Sequence, residues 1–402
     1  MARPTTSAPP TTHRQARALR NDARILDAAV TIAADEGWAA LVPSRVSAAS
    51  GLVRSTVQER FRDRTALGSA LWRERCGGAL ESALSQFLDS CGVGDTPAHA
   101  SRIDREMRRL SALSPVLQGA AELLVAAHYD ATLRREVTDS FGERVRQWCS
   151  EGDPTSNART AYLLATGLGL ILAARRSGAQ ELQWTTVAAA FEAGLTRTIA
   201  PAELPQITVP HFTDDLDLAP DDPSLNALLN ATLREIGARG FEGASVDQIA
   251  RASHHTKGLV FSRFPSKLEL FLEATRRQQI AAFAANDAFI QQVAAERGRG
   301  IAEAVAIREM QGASIANGRS ILMEQLRLSW HHREAKAAQE ADLDAIVETL
   351  AQSHPDHFAH EATVMHLGYA VGLGVSMLPL LCPDAYLLPY DVMTVPLVEL
   401  GL

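Results

Sequence analysis

The fold of this chain is decided by the stretch Thr256-Lys257-Gly258-Leu259-Val260-Phe261-Ser262-Arg263-Phe264-Pro265-Ser266-Lys267-Leu268-Glu269-Leu270. It predicts a short helix from Thr256 to Phe264, with cations and a hydroxyl on one side and apolar residues on the other, followed by a long helix that opens at Pro265. The same pattern occurs 203 residues earlier as Val53-Arg54-Ser55-Thr56-Val57-Gln58-Glu59-Arg60-Phe61-Arg62-Asp63-Arg64-Thr65-Ala66-Leu67. A unit that recurs without a gap indicates one supersecondary motif used twice.

The repeat extends well beyond this stretch. Ile25–Leu67 aligns with Leu228–Leu270 without a gap, and the alignment keeps Gly37 and Gly240 in phase. Three later motifs recur in the same order: Arg105-Glu106-Met107 as Arg308-Glu309-Met310, Gly167-Leu168-Gly169 as Gly372-Leu373-Gly374, and Glu192-Ala193-Gly194-Leu195 as Glu399-Leu400-Gly401-Leu402. We therefore predict two complete copies of one two-domain protein, fused in tandem.

Composition and patterning predict an all-α fold. The chain has 402 residues, of which 46% are hydrophobic and 21% charged, with a formal net charge of −8. It is rich in alanine, which favours helices, and it has no alternating strand pattern of useful length. The predicted segments are a disordered basic arm at 1–20, a helix-turn-helix at 21–75, a helical ligand and dimerisation domain at 76–200, a proline-rich linker at 201–223, a second helix-turn-helix at 224–278 and a second helical domain at 279–402.

The sequence predicts a soluble cytoplasmic protein. The N-terminus lacks the apolar core of a signal peptide. The apolar stretches Ala161–Ala174 and Leu367–Cys382 are shorter than a membrane span needs, so we interpret them as buried interface helices. The four cysteines have no paired spacing, which predicts free thiols. The basic arm fits either phosphate contact or an ordinary soluble tail.

Capping signals locate the helices of the second copy. Asp222-Pro223 predicts a helix start and Gly240 its end, and Ser245-Val246-Asp247-Gln248 is a capping box for the next helix. A turn at Ser253-His254-His255 leads into the short helix of the opening stretch. The first copy begins its second helix with Val42-Pro43-Ser44 and lacks the capping box. A short helix whose cations and hydroxyl face outward suits the major groove of DNA.

These segments resemble the TetR family of bacterial transcription regulators. The family pattern is a capped helix, a Gly-Val-Ser-Lys-Gly-Thr-Leu-Tyr-x-His-Phe-like recognition helix and a Ser-Lys-x-x-Leu entry into a fourth helix, which the sequence from Ser266 to Leu270 reproduces. The family tyrosine is Gln58 in the first copy and Phe261 in the second. The turn glycine is kept as Gly51 but becomes His254. The resemblance implies a ligand-responsive repressor whose partners are a double-stranded DNA operator and an unidentified small-molecule effector, with no cofactor.

The resemblance also implies how the two copies pair. In the family, two C-terminal helices from each subunit form a four-helix interface. The matching segments here are Ala161–Ala174 with Thr185–Ile199, and Thr363–Leu378 with Tyr390–Leu400. We expect a monomeric, intramolecular pseudo-dimer that reads an asymmetric operator with two non-identical heads. A higher oligomer is left open.

The residues expected to contact DNA lie on the second and recognition helices of each copy and at the start of the fourth. Arg54 is expected to pair with guanine and Leu259 to offer an apolar contact, whereas Arg64 and Lys267 are expected to hold phosphates. The full set is Ser44, Arg45, Arg54, Ser55, Thr56, Gln58, Arg60 and Arg64 in the first copy, and Ser245, Asp247, Gln248, Lys257, Gly258, Leu259, Phe261, Arg263 and Lys267 in the second.

Aromatic, histidine and methionine residues of the helical domains are the candidates for an effector pocket. Residues of these types are more often found in a core than in a pocket wall. The candidates are His128, Tyr129, Trp148, Met323, Trp330, Met365 and Tyr369.

No catalytic or metal centre is predicted. His354, His357 and His360 have the spacing of a zinc site, but Pro355 interrupts any helix through them. The Gly-x-Gly pairs at 167–169 and 372–374 follow no strand, so we interpret them as close contacts between helices. No nucleophile-base or paired-carboxylate arrangement stands out, so no enzyme is predicted. The alternative function is a small-molecule-binding or protein-interaction module in which one or both heads are vestigial.

Overall fold

The computed structural model describes residues 13–94, 96–205, 216–353 and 362–402. Within these ranges the chain forms α-helices joined by turns, short 3₁₀ segments and two π-helical turns, and it contains no β-strand. The all-α prediction is confirmed.

The helices follow the same order in the two halves. Those of the first half are α1 His13–Asp35, α2 Pro43–Ser50, α3 Arg54–Arg60, α4 Arg64–Leu71, α5 Gly77–Ser90, α6 Ala100–Leu110, α7 Pro115–Ala126, α8 Ala131–Val137, α9 Glu143–Trp148, α10 Pro154–Ala173 and α11 Thr185–Thr196. Those of the second half are α12 Pro223–Gly243, α13 Val246–Ala252, α14 Lys257–Arg263, α15 Lys267–Arg297, α16 Arg299–Glu309, α17 Ala316–His331, α18 Arg333–Ser353, α19 Ala362–Leu381 and α20 Asp391–Glu399.

The predicted caps are present. Asp222 caps α12 with Pro223 in the first turn, and Gly240, at φ 73°, interrupts that helix where its end is predicted. Ser245 and Gln248 form the predicted capping box at the start of α13. These contacts satisfy backbone donors that the first helical turn leaves without a partner.

Each half begins with a small helical domain, here called its reading unit: α1 to α3 with the start of α4 in the first half, and α12 to α14 with the start of α15 in the second. The apolar positions shared by the two copies form the core of each unit. They are Ile25, Leu26, Val46, Val57 and Leu67 in the first unit, and Leu228, Leu229, Ile249, Val260 and Leu270 in the second. Each such side chain contributes about 1.5–3 kcal/mol on burial, so the shared pattern is the pattern of a shared core.

The N-terminal boundary needs a correction. The disordered arm is predicted for 1–20, yet α1 begins at His13. The residues from His13 to Arg20 include alanine, leucine and arginines, which have high helix propensity and continue the helix toward the N-terminus. The predicted linker 201–223 also packs in part, since Leu218 and Ala219 are buried against α12; residues 206–215 lie outside the described ranges.

The halves meet along α10 and α19, and α20 contacts both α10 and α11. A Cβ on Gly169 would overlap the carbonyl oxygen of Ala370, and a Cβ on Gly374 would overlap that of Ala165. The helices that were predicted to form an interface are therefore in direct contact, and one glycine of each Gly-x-Gly pair, Gly169 and Gly374, permits it.

In the part of the chain that the structure describes, one helix, α19, is long and apolar enough to cross a membrane, with a mean hydropathy of 1.6. In the structure 61% of the most apolar 18-residue segment of α19 is buried, and α19 packs on α10. Burial inside the protein accounts for its apolar composition.

Candidate nucleic-acid interface

Each reading unit presents its recognition helix, α3 or α14, from a buried apolar anchor. Val57 of α3 and Val260 of α14 are buried and anchor these helices to the core of each unit. The residues predicted to read DNA are mostly exposed: Arg54, Ser55 and Gln58 on α3, and Lys257, Gly258 and Phe261 on α14, whereas Thr56 and Leu259 are half-buried. The two outward faces therefore differ in chemistry, one polar and one carrying an exposed aromatic ring.

The arginine at the end of each recognition helix pairs with an acid of the first helix in the same unit. Arg60 lies 2.5 Å from Asp22, and Arg263 lies 2.6 Å from Asp222. The hydrogen bond from Arg263 holds the pKa of Asp222 below its usual value. These arginines were predicted only as DNA contacts. In the structure their ion pairs also hold each recognition helix against the first helix of its unit.

The second helices contribute fewer free groups than predicted. Ser44 is exposed, and Arg45 pairs with Glu36. Lys257 Nζ lies 3.4 Å from Asp247. The side chains of Ser245 and Gln248 bond each other and the backbone of the capping box, which engages the Ser245 hydroxyl and the amide oxygen of Gln248.

Arg64 and Lys267 lie at the starts of the fourth helices, as predicted, and each stacks on an aromatic ring. The Arg64 guanidinium lies 5.0 Å from the ring centre of Trp38, and the Lys267 ammonium 4.1 Å from that of Phe241. Lys267 Nζ also donates to the carbonyl oxygens of Phe241 and Ala244, at 2.5 and 2.8 Å, and burial lowers its pKa. Lys267 therefore ties α15 to the end of α12, with at most one ammonium proton left for a phosphate.

The turn between the second and recognition helices takes the same conformation in both units. Gly51 has φ 66° and His254 has φ 58°. The left-handed conformation costs an L-residue about 1–2 kcal/mol more than it costs glycine. His254 therefore bears a backbone strain at this turn that Gly51 does not.

Sequence reasoning missed a pair of buried glutamates that connect the reading units to the helical domains. The N–H of Trp38 donates to Glu122 Oε1 at 2.6 Å, and the N–H of Phe241 donates to Glu324 Oε1 at 2.5 Å. Both carboxylates are fully buried. Each accepts from the residue that follows the helix-ending glycine, so the same contact occurs in the two halves.

Arg327 joins these two contacts. Its guanidinium bonds Glu324 at 2.9 Å and Glu242 at 2.5 Å, and lies 3.5 Å from Glu122 of the other half. Burial lowers the pKa of Arg327, but the negative charge of Glu324 and the other carboxylates outweighs burial, so the pKa is raised. A single buried cation thus bridges the backbone contacts of both reading units.

His331 completes this cluster at the end of α17. Its Nε2 lies 2.9 Å from Glu122 Oε2, and its Nδ1 lies 3.3 Å from the carbonyl oxygen of Asp35. Burial raises the pKa of Glu122, but the hydrogen bond from His331 and the charge of Arg327 outweigh it, so the pKa is lowered. The sequence signal that was available is an isolated acid inside an apolar helix, Ala120-Ala121-Glu122-Leu123-Leu124.

The predicted pocket residues lie in several different places. His128 lines a cleft of about 570 Å³, and Trp330 lines another of about 550 Å³. Tyr129 donates to the carbonyl oxygen of Ser320 at 2.6 Å, and Tyr369 accepts from Gln339 at 3.0 Å. The remaining candidates are Trp148 and Met323, which are buried in the core, and Met365, which is half-buried.

The histidines His354, His357 and His360 lie outside the described residues. Within the described ranges no group of three or more histidine, cysteine, aspartate or glutamate side chains is placed to hold a metal ion. The cysteines Cys76, Cys91, Cys149 and Cys382 are free and buried.

Comparison with known protein families identifies the second reading unit. Residues 228–274 match the family of bacterial regulatory proteins, tetR family. These residues run from α12, through α13 and α14, into α15, so they contain the whole helix-turn-helix described above. The match supports a DNA-binding transcriptional regulator of this family. A comparison with curated proteins found no match.

Proposed function

We propose that this chain is a ligand-responsive transcriptional repressor in which two TetR-like units, fused in tandem, form an intramolecular pseudo-dimer. The observation that carries the proposal is the shared contact between a buried glutamate and the residue after the helix-ending glycine, Glu122 with Trp38 and Glu324 with Phe241. A contact repeated with the same geometry joins each reading unit to its own helical domain, as two copies of one protein would require.

The interface between the halves supports the paired arrangement. The crossing of α10 and α19 places Gly169 on Ala370 and Gly374 on Ala165, so each half supplies the same pair of residues to the other. This reciprocity is the property of an isologous two-fold interface between identical subunits. A dimer formed within one chain needs no second molecule to present two reading units.

The recognition helices support an asymmetric site. Exposed Arg54 and Gln58 face outward in the first unit, while Lys257 and Phe261 do so in the second. Two identical reading units bind a palindromic site. Two units with different side chains on their recognition helices bind two different half-sites. We place the protein in the cytoplasm, where the chromosome of a bacterium is accessible to it.

The test is DNA selection with the full chain, followed by electrophoretic mobility shift on the selected duplex. We expect one chain per duplex, and a complex whose stoichiometry does not change on dilution, because tethering gives the halves an effective concentration in the millimolar range. The selected duplex placed in a promoter should reduce transcription in vitro when the protein is added. A shift that requires two chains, or a failure to shift DNA at low salt, contradicts the proposal, and the second result favours a module with vestigial heads.

A further inference from the structure

The cleft that contains His128 lies between the two halves. Its first wall is α8 with the end of α7, and its second wall comes from α17 and the end of α19. The cleft has a volume of about 570 Å³. Since the walls belong to different halves, a molecule bound there would contact both.

The cleft is cationic. Arg134, Arg135 and Arg319 line it, and no aspartate or glutamate is among its lining residues. The guanidinium of Arg319 donates to the carbonyl oxygens of Met310 and Gly312, which fix its position, and no carboxylate among the described residues lining the cleft offsets its charge. In a chain with a net charge of −8, such a local excess of positive charge is a distinct feature.

Arg134 is held in the same manner. Its Nε donates to the carbonyl oxygen of Ala127 at 2.9 Å, and the same guanidinium donates to the carbonyl oxygen of His128. The Nδ1 atom of His128 is buried and has no hydrogen-bond partner among the described residues. Burial, followed by the charge of Arg134, lowers the pKa of His128 to about 4. The imidazole is therefore neutral at pH 7 and adds no charge to the cleft.

A second cleft is lined by residues at corresponding positions of both halves, and carboxylates offset only part of its positive charge, which comes from Arg175, Arg176 and Lys336. Trp330 and Lys336 stand there where the first cleft has His128 and Arg134, and its volume is about 550 Å³. Its lining includes two acids, Asp35 and Glu181. Of these two clefts, only the one lined by Arg134, Arg135 and Arg319 has cations and no carboxylate in its lining.

We propose that the cleft lined by Arg134, Arg135 and Arg319 binds a small organic anion with a carboxylate or phosphate head group and an apolar body. Guanidinium groups form paired, charge-assisted hydrogen bonds with both head groups. Ala131, Pro379 and Leu380 provide an apolar wall beside the cations. The head group meets the arginines, and the apolar body packs on this wall.

The walls of the cleft connect to both reading units. Asp130, which caps α8, accepts from Thr65 of α4 at 2.6 Å. Tyr129 packs where a Cβ on Gly240 would lie 3.3 Å from its ring. An anion that moves α8 against α17 therefore changes the contacts of both reading units. This coupling between the anion site and the reading units rests on the proposed function, since an effector must couple its site to DNA binding.

The test is isothermal titration of the full chain, without DNA, using four probes: octanoate, octyl phosphate, 1-octanol and inorganic phosphate. We expect octanoate or octyl phosphate to bind at one site, and to bind at least about tenfold more tightly than 1-octanol or inorganic phosphate. The stronger of the two anions identifies the head group. Equal binding of the anion and the alcohol, or no binding of either anion, overturns the inference.

Substitutions locate the site. Arg319→Gln and Arg135→Gln should each weaken binding of the stronger anion about tenfold, the effect of losing one charge-assisted hydrogen bond. Arg135 is exposed, so its variant tests the site even where Arg319→Gln affects folding. Lys336→Gln in the second cleft and Arg333→Gln on the surface are matched controls and should leave binding unchanged. Unchanged affinity in Arg135→Gln, or equal losses in the controls, overturns the inference.

The binding assay separates this inference from the DNA-binding proposal. A chain that shifts its selected duplex but binds none of the probes refutes the anion site alone. A chain that binds octanoate or octyl phosphate at this site but shifts no DNA supports the anion site and refutes the proposed function.

Discussion

Gly169 lies so close to Ala370 that a Cβ on the glycine would overlap the alanine's carbonyl oxygen. The counterpart contact, Gly374 on Ala165, repeats this relationship on the other side of the same helix crossing. Two helices that approach this closely bury apolar surface from both halves at once, so the stability of each half depends on the other. This coupling makes the crossing the most direct place to test the arrangement of the halves.

Gly169→Ala should destabilise the protein by about 1–3 kcal/mol, because the added methyl group must push α10 and α19 apart. Gly368→Ala is the matched control, since its Cβ would meet no atom within 4 Å. The control should be neutral or more stable by up to about 1 kcal/mol through its higher helix propensity. Urea unfolding followed by circular dichroism measures both. Equal free energies of unfolding for the two variants would show that Gly169 of α10 is not in close contact with α19.

Arg327→Met should cost about 3–5 kcal/mol, because it leaves the buried carboxylates of Glu122 and Glu324 without their shared cation. Arg333→Met, on an exposed arginine nearby, is the control and should change the free energy of unfolding by less than about 0.5 kcal/mol. Amide hydrogen exchange at Trp38 and Phe241 should rise in Arg327→Met if the cation stabilises both contacts. A rise confined to one of the two amides would contradict a bridge between the reading units.

His254→Gly should stabilise the protein by about 1 kcal/mol, because glycine adopts φ 58° without the strain that histidine bears there. The reciprocal change, Gly51→Ala, should destabilise it by about 1–2 kcal/mol at φ 66°. Thermal unfolding of the two single variants and the parent measures the difference. A destabilised His254→Gly would mean that the imidazole makes a contact worth more than the backbone strain.

Arg54→Ala and Lys257→Ala should relax base preference in different half-sites of the selected duplex, each at a cost of about 1–3 kcal/mol. The reason is that the two side chains lie on separate recognition helices, α3 and α14. Footprinting and competition binding against single-base variants of the duplex measure the effect, with Arg333→Ala as the control. If both variants weaken binding at the same half-site, or if the preferred site is a perfect palindrome, the two reading units do not read DNA independently.

The free energy of unfolding should fall as the pH drops from about 6.5 toward 4. Burial, with nearby arginines, lowers the pKa of both His128 and His366 to about 4. Unfolded histidine has a pKa of about 6.5, so in this window the unfolded chain binds more protons and stability is lost at up to about 1.4 kcal/mol per pH unit for each histidine. His366→Gln should reduce this slope, and the exposed His332→Gln should not. Equal slopes in the two variants would contradict the assignment.

Local sequence determined the helices and their order, since each depends on residues close together in the chain. The capping box of Ser245 and Gln248, the start of α12 at Asp222-Pro223 and the break at Gly240 all lie where the sequence predicts them. One glycine of each Gly-x-Gly pair, Gly169 and Gly374, lies at a close contact between helices, as the sequence predicts. The predicted arm is the exception, because helix propensity in His13–Arg20 continued α1 beyond the expected start.

Tertiary structure alone decided which partners the charged side chains take. Arg263 and Asp222, or Arg327 and Glu122, are far apart in sequence, and no local pattern specifies that they meet. The same holds for Lys267, whose spacing suggests a phosphate contact but whose ammonium faces two carbonyl oxygens. Helix formation follows short-range backbone bonds, whereas a buried charge must be matched by whatever groups the packed chain brings to it. For this reason the sequence predicted the two reading units, and only the folded chain revealed the buried cation between them.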